Sequence, residues 1–388
     1  MLPEGWKKTT VGKSCAIRNT LRYPLSAADR STLAGEYPYF GPTGQLDSID
    51  HYRIDEPFAI IGEDGDHFLK FRDRPMTLYF EGKANVNNHA HIIGDSEDCL
   101  AKWFYYCFMF RDLTPVLSRQ GVGRYKLTKA GLEQLELPLP PRPEQVAIVK
   151  VLSIWDQAIA ATERLLASSQ KQKQTLTHSL LSDRLRKISG KKALHREHAS
   201  AIFLPRSTRN NDGLELLSVM QDVGVVPRSS LDRKVVMPEG STNGYKLVEP
   251  GDFVISLRSF EGGLEYSKFK GLVSPAYTVL ASKRPIVDDF YRHYFKSTDF
   301  IRRLAVAVIG IRDGKQISYE DFAFLRLPYP SVLEQQEIAQ LLNAAEVIIQ
   351  KQKVELLLLK QEKTALMSQL LTGKRRVNMP DVEVKAQA

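Results

Sequence analysis

Two long stretches of the chain carry their least polar residues at spacings that alternate between four and three. The first runs through Ile148, Leu152, Trp155, Ile159, Thr162, Leu166, Ser169, Lys173, Leu176 and Leu180. The second runs through Ile338, Leu342, Ala345, Ile349, Gln352, Leu356, Leu359, Lys363, Leu366 and Leu370. A mean step of 3.5 residues is the heptad pattern, so each stretch predicts a helix with an apolar seam that needs a partner. The predicted helices occupy 144–190 and 331–376, with a polar tail at 377–388. Each is about 44 residues, or roughly 65 Å at ~1.5 Å per residue. Glu144 and Glu334 fall in the first turns, where a carboxylate suits the helix dipole. Gly373, followed by Lys374-Arg375-Arg376, marks the end of the second helix.

The two helices belong to a longer repeat. At an offset of 190 residues, Leu135-Glu-Leu-Pro-Leu-Pro140 lies over Leu325-Arg-Leu-Pro-Tyr-Pro330, and Glu144-Gln145 lies over Glu334-Gln335. The alignment runs without a gap to Leu180-Leu181-Ser182 over Leu370-Leu371-Thr372, with 14 of 48 positions identical. Each copy opens on a Pro-rich, strand-like stretch that cannot be helix interior. The natural partner of each helix is its own repeat, run antiparallel. Lys173 and Lys363 fall on the seam in both copies. The simpler reading lays their stems along the seam edge with the ammonium in water; the sharper one makes them polar register-setters. If Ile148 meets Leu370, Lys363 falls opposite Trp155, a candidate cation–π pair.

Residues 1–143 and 191–330 read as two α+β domains. Phe58-Ala-Ile-Ile61 and Phe253-Val-Ile-Ser-Leu257 are short apolar runs bounded by Gly and acidic residues, and predict strands. Aromatic stretches at 102–110 and 289–295 predict helices, and their helical spacing reads as core. Each domain then reaches a Gly-containing loop, Gln120–Lys126 and Ile309–Gln316. The fold class is therefore α+β: two globular domains alternating with two long antiparallel coiled-coil helices, in a pseudo-two-fold layout.

The loops hold groups able to meet bases and phosphates. In the first domain these are Thr43, Lys83, Asn85, Asn87, Asn88, His89, Arg119, Gln120 and Arg124. In the second they are Arg258, Ser259, Glu261, Ser274, Tyr277, Arg312, Lys315 and Gln316. Asn and Gln can bridge adenine edges and Arg can fork onto guanine. Taken singly, the same Asn and Gly residues are ordinary turn formers, and His89 and His91 read as structural rather than as metal ligands.

Composition adds less than the pattern does. The chain has 388 residues and a formal charge of +9. Residues 1–143 hold 18 basic and 18 acidic residues, whereas 191–330 hold 21 and 16, so the excess is not concentrated in a tail. A polyanion partner is permitted, not demanded. Three cysteines exclude a disulfide framework and point to a reducing compartment. Apolar runs such as Leu356–Leu359 are far below the ~18–20 residues of a membrane span, and Met1–Trp6 has no basic-then-apolar signal layout. Catalytic strings are thin. Phe40-Gly-Pro-Thr-Gly-Gln45 lacks the Gly-Lys-Ser/Thr ending of a phosphate loop, no Asn/Asp-Pro-Pro-aromatic tetrad of an amino-methyltransferase occurs, and the cysteines lack zinc spacing. A bound metal is not expected.

With these features in place, the chain resembles the specificity (S) subunits of type I restriction-modification systems. The resemblance covers nearly the full length. It rests on Leu137-Pro-Leu-Pro-Pro-Arg-Pro-Glu-Gln145 leading into the first helix and on its echo Leu327-Pro-Tyr-Pro-Ser-Val-Leu-Glu-Gln335. Leu2-Pro-Glu-Gly-Trp6, Tyr37-Pro-Tyr-Phe-Gly-Pro-Thr-Gly44, Asn87-Asn-His-Ala90, Leu216-Leu-Ser-Val219 and Gly271-Leu-Val-Ser-Pro-Ala-Tyr277 support it. The second junction departs from the pattern at Ser331-Val-Leu, where Pro-rich residues are common.

The resemblance implies a non-catalytic DNA-recognition subunit in a prokaryotic cytoplasm. Each domain would read half of a bipartite double-stranded site, and the helices would set the spacer. One turn of DNA is about 34 Å, so such a rod suits contacts roughly one to two turns apart. Two methylation (M) subunits would dock on the helices and bring S-adenosylmethionine, this chain holding no cofactor, and restriction (R) subunits would join them. A specificity subunit of a methylation-only or combined restriction-modification enzyme, and a coiled-coil scaffold that ignores DNA, are the alternatives.

Overall fold

Both heptad stretches are helices, Arg142–Leu181 and Val332–Leu370, in the computed structural model. The structure describes residues 2–120, 124–182, 186, 190–209, 213–231, 244–308 and 317–377. The chain divides into two units, each of which takes part of both long helices. The first unit comprises Met1–Thr162 with the described residues from Glu355 on; the second is Glu163–Val354.

In the first unit, the strand Lys7–Thr10 pairs antiparallel with Glu136–Leu139 at the entrance to the first long helix. A four-stranded sheet follows, in the order Ala16–Ile17, Ala90–Gly94, Phe58–Gly62, Thr77–Phe80. All five residues of Phe58–Gly62 are buried, which is why that run is apolar without alternation. A second sheet has the order Gln45–Ile49, Ala34–Phe40, Lys83–Val86, Ile54–Asp55. The aromatic helix Ala101–Phe108 buries Trp103, Phe104, Tyr106 and Phe108. The predicted loop at 120–126 is instead built on a hairpin, Ser118–Gln120 against Arg124–Lys126.

The second unit repeats the plan. Arg196–His198 pairs with Arg326–Pro328 at the entrance to the second long helix. Its four-stranded sheet has the order Phe203–Arg206, Thr278–Ser282, Phe253–Ile255, Glu265–Tyr266. Asp288–Tyr294 takes the place of the aromatic helix. Short helices before each entrance correspond at the 190-residue offset. Thr128 caps Lys129–Gln134 and Ser318 caps Tyr319–Ala323, each side chain accepting the backbone N–H three residues on.

The seam is closed within each unit by helix segments far apart in sequence. In the first unit Glu144 accepts from Arg376 at 2.7 and 3.0 Å, and Asp156 pairs with Lys363. As one partner's number rises the other's falls, so the helices run antiparallel. In the second unit Lys173 pairs with Glu346 and Arg186 with Glu334, again antiparallel. Both seam lysines therefore form ion pairs across the seam rather than standing free at its edge. The ring facing Lys363 belongs to Tyr106, with Nζ 5.5 Å from its centroid, and not to Trp155. The reason is register: a carboxylate one residue after Trp155 captures the ammonium.

The seam also completes the cores. Ile148, Leu152, Met367 and Leu370 belong to the same buried cluster as Trp6, Trp103 and Phe104. Leu180, Ile338 and Leu342 join Phe203, Phe253 and Tyr291 in the second unit. Trp155, Ile159, Leu166, Leu176, Leu356, Leu359 and Leu366 are half-buried, and Ile349 is buried. Gly373 ends the second helix with φ +71°, and a Cβ there would lie 2.3 Å from Pro3, so only glycine fits.

The three tryptophans, Trp6, Trp103 and Trp155, all lie in the first unit, so their fluorescence reports that unit alone. Glu144 is buried and also accepts from the Trp6 indole at 3.1 Å. Glu144→Ala leaves both donors without their acceptor. It is expected to lower the first unit's stability by about 2 kcal/mol, less than the ~3–5 kcal/mol of a fully enclosed pair because Arg376 reaches solvent. Urea unfolding followed by tryptophan fluorescence checks this.

Candidate nucleic-acid interface

In the first unit, long-range backbone pairing gathers three loops. Tyr39 and Phe40 pair in parallel with Asn85 and Val86, and Asn87 N–H donates to the Phe40 carbonyl at 2.9 Å. This brings the 41–44 turn, with exposed Thr43, beside the 87–89 turn. Glu63 N–H donates to His89 O, and Leu127 N–H donates to Glu63 O, at 2.8 and 2.7 Å. The hairpin bearing Arg119, Gln120 and Arg124 thereby joins the same edge. Asn88 and His89 are exposed; His89 Nδ1 lies 3.0 Å from the Asp64 carboxylate. Arg119 is exposed and its guanidinium donates to the Tyr125 hydroxyl at 3.1 Å. The side chains of Gln120 and Arg124 lie outside the described residues.

Three expected contact residues fall elsewhere. Asn85 is fully buried, and its amide donates to the His51 carbonyl at 2.7 Å, so it cannot present its edge to a base. Its position in a paired inner strand is the cause. Asn87 is buried too, its Oδ1 accepting the His89 N–H at 2.9 Å, a local turn of the Asx type. Lys83 is exposed but begins the strand whose other end reaches the 87–89 turn, and its ammonium sits 4.7 Å from the Tyr52 ring centroid.

A half-buried polar network, with the buried His91 at its centre, braces the gathered loops; the reading of His91 as structural holds. Glu63 accepts from Arg22 at 2.7 Å and Lys126 at 3.2 Å. Arg22 also donates to the Asn88 carbonyl at 3.3 Å and to His91 Nδ1 at 2.8 Å. His91 Nε2 lies 2.8 Å from the Leu127 carbonyl, which can only accept, so that nitrogen carries the proton. Nδ1 then accepts from Arg22 and from the Asn19 amide at 2.9 Å. His91 is thus a neutral, buried connector, with its pKa lowered by burial. No local spacing marks Arg22, Glu63 and His91, because the fold alone brings them together. Lys126 belongs to the hairpin strand Arg124–Lys126 and to the Gly-containing loop predicted at 120–126.

In the second unit, Ile255 pairs with Thr278, which puts the segment after one strand beside the segment before the other. Arg258 and Glu261 are exposed at the short helix Ser259–Gly262. Ser274 and Tyr277 are half-buried in the adjoining turn, where Ser274 Oγ accepts the Ala276 N–H at 3.3 Å. Lys246 reaches the same turn, donating to Tyr277 O at 2.6 Å, and burial lowers its pKa. Ser259 departs from expectation: it is buried, and its hydroxyl accepts the Ser256 N–H at 2.8 Å to close the turn. Arg312, Lys315 and Gln316 lie outside the described residues.

Among the described residues, no group of three or more His, Cys, Asp or Glu could hold a metal ion, and no helix is long and apolar enough to cross a membrane.

The fold is that of a tandem α+β repeat protein built on two long helices. Residues 3–168 match the family model described as Type I restriction modification DNA specificity domain. A putative type I restriction enzyme specificity subunit of Haemophilus influenzae is 32% identical over 136 residues, covering 35% of this chain and 34% of the relative. The type I restriction enzyme MjaVIII specificity subunit of Methanocaldococcus jannaschii is 22% identical over 409 residues, covering 97% of this chain and 94% of that one. The chain thus spans about a third of the first relative's length and nearly all of the second's. The crystal structure of a type I restriction-modification S subunit from M. genitalium shares the fold, with a TM-score of 0.62, 14% identity and 97% of each chain covered. The chain is thus similar to type I restriction-modification specificity subunits, over residues 3–168 to the family model and over nearly its full length, at 22% identity, to the M. jannaschii subunit.

His67 backs the turn that carries Glu63 and Asp64. Its ring is buried, and a Cβ at Gly62 would lie 2.4 Å from Nε2. Burial lowers its pKa from 6.5 to about 4, with the Arg74 charge adding to it. The unfolded chain therefore binds more protons between those values. The first unit should keep its full stability above about pH 6.5 and lose it as pH falls toward 4. Tryptophan-detected unfolding at pH 7.5 and 5 should show a smaller loss in His67→Leu than in the wild type.

Proposed function

We propose that this chain is the DNA sequence-recognition subunit of a restriction-modification complex, and that it carries no chemistry itself. Each globular domain, 1–143 and 191–330, reads one half of a bipartite double-stranded target. The paired long helices set the spacer and dock two methylation subunits, which bring S-adenosylmethionine; restriction subunits complete the assembly in a prokaryotic cytoplasm. The observation that carries this reading is the repeat. Both units keep the same helix entrance and seam pairing, while their exposed loops differ in chemistry: Thr43, Asn88, His89 and Arg119 in one, Arg258, Glu261 and Tyr277 in the other. A constant frame with divergent loops suits two readers of different sequence.

The test uses this chain with its methylation subunits. Exchanging residues 1–143 for those of a relative should change one half-site and leave the other intact, and lengthening either long helix should change the spacer alone. A domain exchange that alters both half-sites would overturn the reading. Arg258→Ala should weaken or relax methylation at one half-site by about tenfold; an unchanged methylation pattern removes that residue from the interface.

A further inference from the structure

Each unit contains a carboxylate on one long helix that is held from two sides at once. In the first unit this is Asp156. It pairs with Lys363 of the other long helix and accepts the Tyr106 hydroxyl at 2.5 Å. Tyr106 belongs to the domain helix Ala101–Phe108, and its hydroxyl also lies 3.3 Å from Ser153, one turn earlier on the long helix. In the second unit the carboxylate is Glu346. It accepts from Lys173 at 3.1 Å and from Arg292 at 2.7 Å. Arg292 belongs to the domain helix Asp288–Tyr294 and donates further to Asp289 and to Asn343 Oδ1, both at 2.9 Å. The Asn343 amide donates back to Asp289 at 2.8 Å, which fixes its orientation, and His293 donates to the same Asn343 oxygen at 2.8 Å.

The two carboxylates stand 190 residues apart, as do the two lysines, so the helix side of the joint is repeated. The domain side is not repeated: a phenol closes one joint and a guanidinium the other. Burial alone would raise the Glu346 carboxyl, yet Arg292 and Lys173 hold it below the ordinary carboxylate value, so it stays ionised. The physical consequence is directional. Apolar packing of a domain helix on a long helix tolerates sliding and rotation, because the hydrophobic effect has no preferred direction. Hydrogen bonds to an ionised acceptor do have one. None of these residues lies in the exposed loops.

We propose that Asp156 and Glu346 are positioning residues that set each domain's angle on the helix pair, and through that angle restrict the spacer length the protein accepts. This rests on the DNA-reading function proposed above. The test uses the intact chain assembled with its methylation subunits, on duplexes that keep both half-sites and vary only the spacer. Methylation is read for each spacer length; tryptophan fluorescence confirms folding of the first unit in Tyr106→Phe, and thermal unfolding followed by circular dichroism confirms folding of the whole chain in Arg292→Gln. The wild type should methylate one spacer length. Tyr106→Phe removes one hydroxyl and leaves the Asp156–Lys363 pair; Arg292→Gln removes the domain-side charge and leaves Lys173–Glu346. Both should raise methylation of duplexes one base pair longer or shorter, relative to the preferred length, by about tenfold, with the half-site sequences unchanged. Lys173→Arg, which keeps a cation opposite Glu346, should retain the wild-type preference. The inference is overturned if the folded Tyr106→Phe and Arg292→Gln proteins keep the wild-type spacer preference, or if they change half-site sequence instead. A wild type that recognises no bipartite site overturns the underlying DNA-reading proposal, a result distinct from either.

Discussion

The first unit cannot close without the end of the chain. Its core includes Met367 and Leu370, and its buried Glu144 takes the Trp6 indole on one side and Arg376 on the other. Segments from the start, the middle and the end of the sequence therefore meet on one carboxylate. The same logic operates in the second unit, where Arg186 reaches Glu334. Closure of this kind has a large loop-entropy cost, because the partners are more than 200 residues apart in the first unit. What offsets that cost is a seam that is apolar at every turn near the cores and ionic at Asp156–Lys363 and Lys173–Glu346.

From this constraint the division of labour follows. The residues that repeat at the 190-residue offset are those that hold the frame: the strand pairs at the helix entrances, the Glu-Gln dipeptides and the seam. Gln145 and Gln335 illustrate it. Both are fully buried, and each amide accepts a domain backbone N–H while donating to a proline carbonyl, Pro140 or Pro330. A side chain that satisfies donor and acceptor at once leaves little room for substitution. The exposed loops carry no such obligation and have diverged.

That distinction explains how much could be read in advance. The heptad seam was legible because its signal is periodic and local; every seam position from Ile148 to Leu180 and from Ile338 to Leu370 is buried or half-buried. The strands at Phe58 and Phe253 and the aromatic helices were legible for the same reason. The candidate interface was legible only as a set of loop positions. Thr43, Asn88, His89 and Arg258 are exposed on gathered loops, but Asn85, Asn87 and Ser259 turn inward, where the Asn85 amide, the Asn87 Oδ1 and the Ser259 hydroxyl each meet a backbone group. Arg22 and Glu63 were invisible because three-dimensional pairing alone makes them neighbours of His91, which the sequence marked only as a structural histidine. Lys363 was placed opposite the wrong side chain, since a one-residue difference in register separates Trp155 from Asp156.

The central claim is that two different readers on one helical frame recognise a divided DNA target. Mapping methylated adenines across a genome, with this chain present and absent beside its methylation subunit, tests it most directly. The account predicts methylation that depends on this chain and falls at one motif of two defined half-sites with a constant undefined spacer. A contiguous motif, or a methylation pattern indifferent to this chain, would contradict it.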